Sequence, residues 1–204
     1  MARHADLLPP DWERISVEWR QKQLEYSWVD TLSGTGHHRD LWQITKDSLA
    51  FVAARHRITD HALLRGLLDA YRHLPAYPDA APTLAALRGA GLRTAILSNG
   101  EPGMLHAAVK ASGLEPMLDA VLSVEALGVF KPDPRVYTLA EQALGLPAAD
   151  MGFVSGNAWD AQAAVAAGFR VFWCNRVGQP EEYGLHTSAK VLSGLAELAA
   201  FVVE

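Results

Sequence analysis

The sequence predicts an α/β protein, a doubly wound parallel-sheet core that carries a helical cap. Three observations carry that reading. The first is a change of texture at Leu74-Pro75-Ala76-Tyr77-Pro78-Asp79, where two closely spaced prolines interrupt any helix. The second is that nothing before this point reads as a firm strand. The third is the rhythm after it: short apolar runs alternate with helical stretches, as the crossover units of a buried, Rossmann-like sheet require. Residues 1–75 are expected to form the cap and residues 76–204 the core.

Within the cap, Pro9-Pro10-Asp11 reads as a helix start, because proline suits the first turn and aspartate can cap it. Val17, Leu24 and Trp28 then recur at near-helical spacing, with Trp19 adding to an apolar side. Ser33-Gly34-Thr35-Gly36 breaks this helix, and two more are expected over about 38–57 and 60–73. In the core, 83–89 is helical, and Thr94-Ala95-Ile96-Leu97 is a short strand ending in Ser98-Asn99-Gly100. Ala120-Val121-Leu122, Gly152-Phe153-Val154 and Val171-Phe172-Trp173-Cys174 are further strands, and the alanine-rich run 161–168 is a helix.

Composition narrows the class. The 204 residues suit one domain, or one core plus a small accessory unit, and half of them are hydrophobic. A formal net charge of -5 gives no support for nucleic-acid or anionic-membrane partners. The single cysteine, Cys174, excludes an internal disulfide and fits a reducing, cytoplasmic compartment. No apolar run is long enough to span a membrane, and the polar start is unlike a signal peptide. The eight histidines do not fall at metal-ligand spacing; His37-His38 adjoin, but without a partner at a helical interval. No metal and no cofactor are expected.

Ligands in open α/β sheets bind at the carboxyl ends of strands, and three such ends here carry polar groups. Ser98-Asn99-Gly100 precedes Glu101-Pro102, so its hydroxyl and nearby amides are placed either to cradle an anion or simply to cap a helix. Lys131 follows an apolar approach and precedes a proline turn; it is either a solvated lysine or the neutraliser of a carboxylate in the site. Ser155, Asn157 and Asp160 end the third, although an aspartate in a first helical turn is also ordinary helix stabilisation.

The order Leu97-Ser98-Asn99-Gly100, Phe130-Lys131-Pro132, then 153–160 resembles the second to fourth motifs of the haloacid dehalogenase superfamily. Trp19-Arg20-Gln21-Lys22-Gln23-Leu24-Glu25-Tyr26 is similar to the first cap helix of its L-2-haloacid dehalogenases. The resemblance implies attack by an aspartate on the halogen-bearing carbon of a short L-2-haloalkanoic acid. Water then hydrolyses the ester to a D-2-hydroxy acid. It implies that Arg20 receives the halide with Asn99, and that Ser98 and adjacent amides bind the substrate carboxylate. By the same resemblance Lys131 holds the nucleophile ionised, with Ser155 and Tyr137 placing these groups. Asn157 and Asp160 position or activate the water, while Gln21, Leu24 and Trp159 line the pocket. Read without the resemblance, Arg20 and Gln21 are solvated helix positions, Leu24 and Trp159 core, and Tyr137 a packing residue.

Two alternatives stand beside this. The superfamily is rich in magnesium-dependent phosphatases, which place an aspartate where this chain has Gly156; losing that carboxylate weakens a dication site. The other is a catalytically dead binding domain that pairs with a twin through its cap helices, a homodimer being common among dehalogenase relatives. It matters because the family's first motif, an apolar strand followed by Asp-x-x-Gly-Thr, has no match here. Asp30-Thr31-Leu32-Ser33-Gly34-Thr35 has one residue too many and follows a helical stretch. About twenty residues, one central strand and its connection, are expected to be missing from the sequence as given. A start assigned too far downstream is preferred to a true truncation, since every other matching site residue is intact.

Overall fold

The computed structural model describes residues 10–34 and 39–201. Pro9, the Thr35-Gly36 half of the glycine break and the His37-His38 pair lie outside the described residues. Three helices come first: α1 (Trp12–Ser33), α2 (Leu41–Arg55) and α3 (His61–Ala70). Ile15 and Trp19 of α1 pack with Leu49, Val52, Leu63 and Leu67 into a small apolar core of their own. The buried face of α1 is Ile15-Trp19-Gln23-Ser27, a four-residue stripe that turns polar toward its end. Val17, expected on the apolar side, is 57% exposed. Asp11 does not cap α1 with its side chain; its carboxylate takes Arg14 instead. Asp40 and Asp60 do cap α2 and α3, each accepting from backbone N–H groups of the first turn. Asp30 lies inside α1, where both its oxygens bind Arg39 from the segment just before α2.

After α4 (Ala80–Gly89), strands and helices alternate: β1 (Ala95–Ser98), α5 (Pro102–Ala111), β2 (Ala120–Ser123), α6 (Pro134–Leu144), β3 (Gly152–Ser155), α7 (Ala158–Ala166) and β4 (Arg170–Cys174). A four-residue helix α8 (Leu185–Ser188), a three-residue strand β5 (Lys190–Leu192) and a 3-10 helix (Leu195–Phe201) follow. All strand pairing is parallel, and the architecture is the expected α/β, Rossmann-like one. Among the described residues the sheet stands in two pieces, β1-β2 and β3-β4-β5, with no ladder joining β1 to β3. Phe130, Val136, Tyr137, Phe153, Ala161, Phe169, Val171 and Trp173 form the main core, and Ile44 of α2 packs into it. Thr31 Oγ1 accepts the Phe130 N–H at 3.0 Å and so ties α1 to the rest, while within the core Arg176 grips both oxygens of Asp79, at the start of α4, at 2.8 and 2.9 Å.

Candidate active site

The carboxyl ends of β1 and β3 both open on one cavity of about 240 Å³, roofed by α1. From α1 come Arg20, Gln23, Leu24 and Ser27, at spacings of three, one and three residues, which put them on one helical face. Leu97, Ser98 and Asn99 come from the end of β1, Lys131 from the loop before α6, and Asn157, Trp159 and Asp160 from the start of α7. Leu41 closes the side.

Local structure explains why these polar groups are available. Glu101, not Ser98, caps α5, accepting from Gly103 N–H at 2.7 Å and Met104 N–H at 2.8 Å. Ser98 Oγ receives only the Gly100 N–H, at 3.1 Å, and keeps its own proton to donate. Gly100 lets α5 close down on the strand end, since a Cβ there would meet Leu105 Cδ2 at 2.6 Å. Asn99 Oδ1 accepts the Lys131 N–H at 2.9 Å, which leaves the Asn99 NH2 as a donor. Asn157 stands at the N-cap of α7 but makes no capping bond with its side chain.

Asp160 is the hub. Buried in the first turn of α7, it accepts from Tyr137 Oη at 2.7 Å, Ser155 Oγ at 2.8 Å and Lys131 Nζ at 3.1 Å. A carboxylate has about four lone-pair sites, so a single one is left for water or substrate. Burial pulls the Lys131 ammonium below its ordinary range, and Asp160 pushes it back up. Burial first, then the Asp160 charge, raise the Tyr137 phenol well above its usual value, so it acts as a donor throughout the working pH range. Lys131 also sits 4.8 Å from the centre of the Phe153 ring. Tyr137 and Ser155 lie behind the cavity wall, reaching it through Asp160.

Arg20 faces this hub from α1. Its surface is open to the cavity, yet it is crowded by protein atoms, and desolvation draws its pKa below the ordinary arginine value. Its Nη1 donates to Gln23 Oε1 at 2.5 Å. Trp159 meets Trp28 edge to face at 5.7 Å.

The structure thus brings together Arg20, Leu24, Ser98, Asn99, Lys131, Asn157, Trp159 and Asp160 around one space, with Tyr137 and Ser155 as backing. Gln21 is not among the lining residues: it is exposed, one position round the helix from Arg20. Gln23, Ser27 and Leu41 line the cavity without having been singled out. Counting three, four and seven residues on from Arg20 picks out Gln23 and Ser27 along with Leu24. Asp160 is the one carboxylate among the described lining residues, and no cluster of three metal-binding side chains occurs among the described residues. A Cβ at Gly156 would meet nothing closer than the Cys174 carbonyl at 3.6 Å, so crowding does not explain the missing carboxylate there.

Comparison with known proteins identifies the family. A family model described as haloacid dehalogenase-like hydrolase matches residues 5–168. (S)-2-haloacid dehalogenase 1 of Pseudomonas sp. (strain CBS-3) is 44% identical over 197 residues, covering 96% of this chain and 86% of that protein. (S)-2-haloacid dehalogenase 4A of Burkholderia cepacia is likewise 44% identical, over 96% of this chain and 84% of its own. The L-2-haloacid dehalogenase of Xanthobacter autotrophicus, solved with chloropropionic acid covalently bound, superposes with a TM-score of 0.89 at 36% identity, covering 99% of this chain and 91% of that one.

Proposed function

The chain belongs to the haloacid dehalogenase-like hydrolases, its reaction is hydrolytic dehalogenation of 2-haloacids, and from that premise we propose how its residues divide the work. The observation that carries the proposal is an Arg20 guanidinium with no carboxylate partner among the described residues, facing the neutralised Lys131–Asp160 pair across a small cavity. Arg20 receives the departing halide, with the Asn99 NH2 beside it; guanidinium stays charged and spreads its donors in a plane. Ser98 Oγ–H and the neighbouring amides hold the substrate carboxylate. Leu24 and Trp159 exclude water around the alkyl group, which favours short chains in about 240 Å³.

The relative from Xanthobacter holds chloropropionic acid covalently, which supports an ester route for this chain: a carboxylate displaces halide with inversion, and water then cleaves the ester. Asp160 is poorly placed to be that nucleophile, because three donors already occupy it. We read the sequence as given as lacking the nucleophilic aspartate, with Lys131 poised to hold such a group ionised. Asn157, free of capping duty, positions the hydrolytic water, and Asp160 offers it one remaining lone pair. The donor set argues against a magnesium phosphatase: Asp160 is committed, and Gly156 supplies no side-chain carboxylate.

Residues 1–75 are read as a cap on a 76–204 core, and exposed Val17, Val29 and Leu32 on α1 support pairing of two caps in a homodimer. No described helix is long and apolar enough to cross a membrane, and the lone, buried Cys174 supports a cytoplasmic setting. Calorimetric titration tests the site directly. L-2-chloropropionate should bind the wild-type chain without metal and fail to bind Arg20→Ala. A magnesium-dependent preference for a phosphomonoester would overturn the assignment.

A further inference from the structure

Arginines 14, 39, 55, 88, 135 and 176 each meet an aspartate or glutamate within 3.3 Å. Arg20 does not. Its partner is the amide oxygen of Gln23, one turn along α1. Gln23 is itself 1% exposed, an unusual place for a glutamine; its NH2 donates to Thr45 Oγ1 of α2 at 2.6 Å, and its side chain also bonds the Tyr71 hydroxyl. Thr45 passes the chain on, donating to the Leu41 carbonyl at 2.7 Å. The backbone of α2 therefore fixes the glutamine through Thr45, and the glutamine fixes the guanidinium. With its NH2 directed at Thr45, the amide presents its oxygen to Arg20.

We infer that Gln23, locked by Thr45, is a positioning residue that aims Arg20 into the cavity while leaving its charge uncompensated. A carboxylate at position 23 would aim the guanidinium equally well but would neutralise it, and a halide would then compete with a fixed anion. A hydrocarbon there would leave the charge but free the side chain, so the ordering cost would fall on halide binding. Only a neutral acceptor achieves both ends. This rests on the reading of Arg20 as the group that receives halide.

The experiment uses the 204-residue chain, nitrogen NMR of the Arg20 guanidinium (assigned with Arg20→Lys) and titration with bromide. In the wild type, rotation of the guanidinium should be hindered, with its NH2 groups resolved. Gln23→Leu and Thr45→Val should average them and weaken bromide binding about threefold to tenfold, the scale of immobilising one rotamer-rich side chain at the moment of binding. Thr45→Ser should retain both properties. Gln23→Glu should keep the hindered rotation and abolish bromide binding, an outcome that a merely structural glutamine would not produce. An Arg20 that stays hindered in both Gln23→Leu and Thr45→Val, or bromide binding unchanged in all variants, overturns the inference. Should Gln23→Leu fail to fold, the Thr45→Val and Gln23→Glu pair decides the matter. A hindered Arg20 in a wild type that binds no bromide supports the positioning and overturns the halide role instead.

Discussion

Asp160→Asn should be among the most destabilising single substitutions in this chain, in a way that depends on pH. The aspartate and Lys131 have side chains only 7% and 8% exposed, and Asp160 also anchors Tyr137 and Ser155. Removing the charge leaves an ammonium buried against Phe153 with no counter-ion. Breaking one side of a buried pair costs about 3–5 kcal/mol, against about 0–1 kcal/mol for a solvent-exposed pair. The pH dependence follows from the sign of the Lys131 shift. Burial already lowers its pKa in the folded protein, and Asp160 is what holds it up. Without Asp160 the folded value drops further, so the unfolded chain binds more protons across that window. Stability of the variant must then rise with pH until lysine's ordinary value of about 10.4 is approached. Urea unfolding at pH 6, 7.5 and 9 should show the full deficit at pH 6 and a narrowing gap at pH 9. Adding Lys131→Met should recover part of the loss at pH 6, as a coupled pair requires. A deficit below about 1 kcal/mol that is flat with pH would refute the reasoning.

Other expectations follow from the same contacts. In a form of the enzyme that carries the nucleophile, Arg20→Lys should lower kcat/KM for L-2-chloropropionate roughly a hundredfold, since a point charge cannot reproduce the planar fork; steady-state halide assays read it. EDTA should leave that activity unchanged, and a loss restored by magnesium would favour the phosphatase chemistry. Asp79→Asn should lower the thermal midpoint at pH 7 by removing the grip on Arg176 and the Leu195 N–H. The Arg176 bond depresses the Asp79 pKa, so that contribution is present above pH about 4 and is lost as pH falls below it. Light scattering should find a dimer that Leu32→Glu and Val29→Lys together dissociate.

The parallel core and most of its site were readable along the chain because strand ends place their polar groups by simple counting. Ser98, Asn99, Lys131, Asn157 and Asp160 all reached the cavity. The phase of α1 was harder. Val17, Leu24 and Trp28 share a near-helical spacing, but spacing fixes a period and not which side meets a partner. That side is set by α2 and α3, and it turned out to run through Ile15, Trp19, Gln23 and Ser27. Gln23 was not singled out, because what buries it, the contact with Thr45 22 positions away among others, leaves no local pattern in the chain. The strand β5 was missed because three residues carry no usable alternation.

Halide release from L-2-chloropropionate tests the central claim most directly. The 204-residue chain should release none. Extended upstream with an apolar strand ending in an aspartate, it should release chloride and form D-lactate from the L enantiomer alone, without added metal. Halide release by the 204-residue chain itself, or magnesium-dependent phosphate release in place of chloride by the extended one, would contradict it.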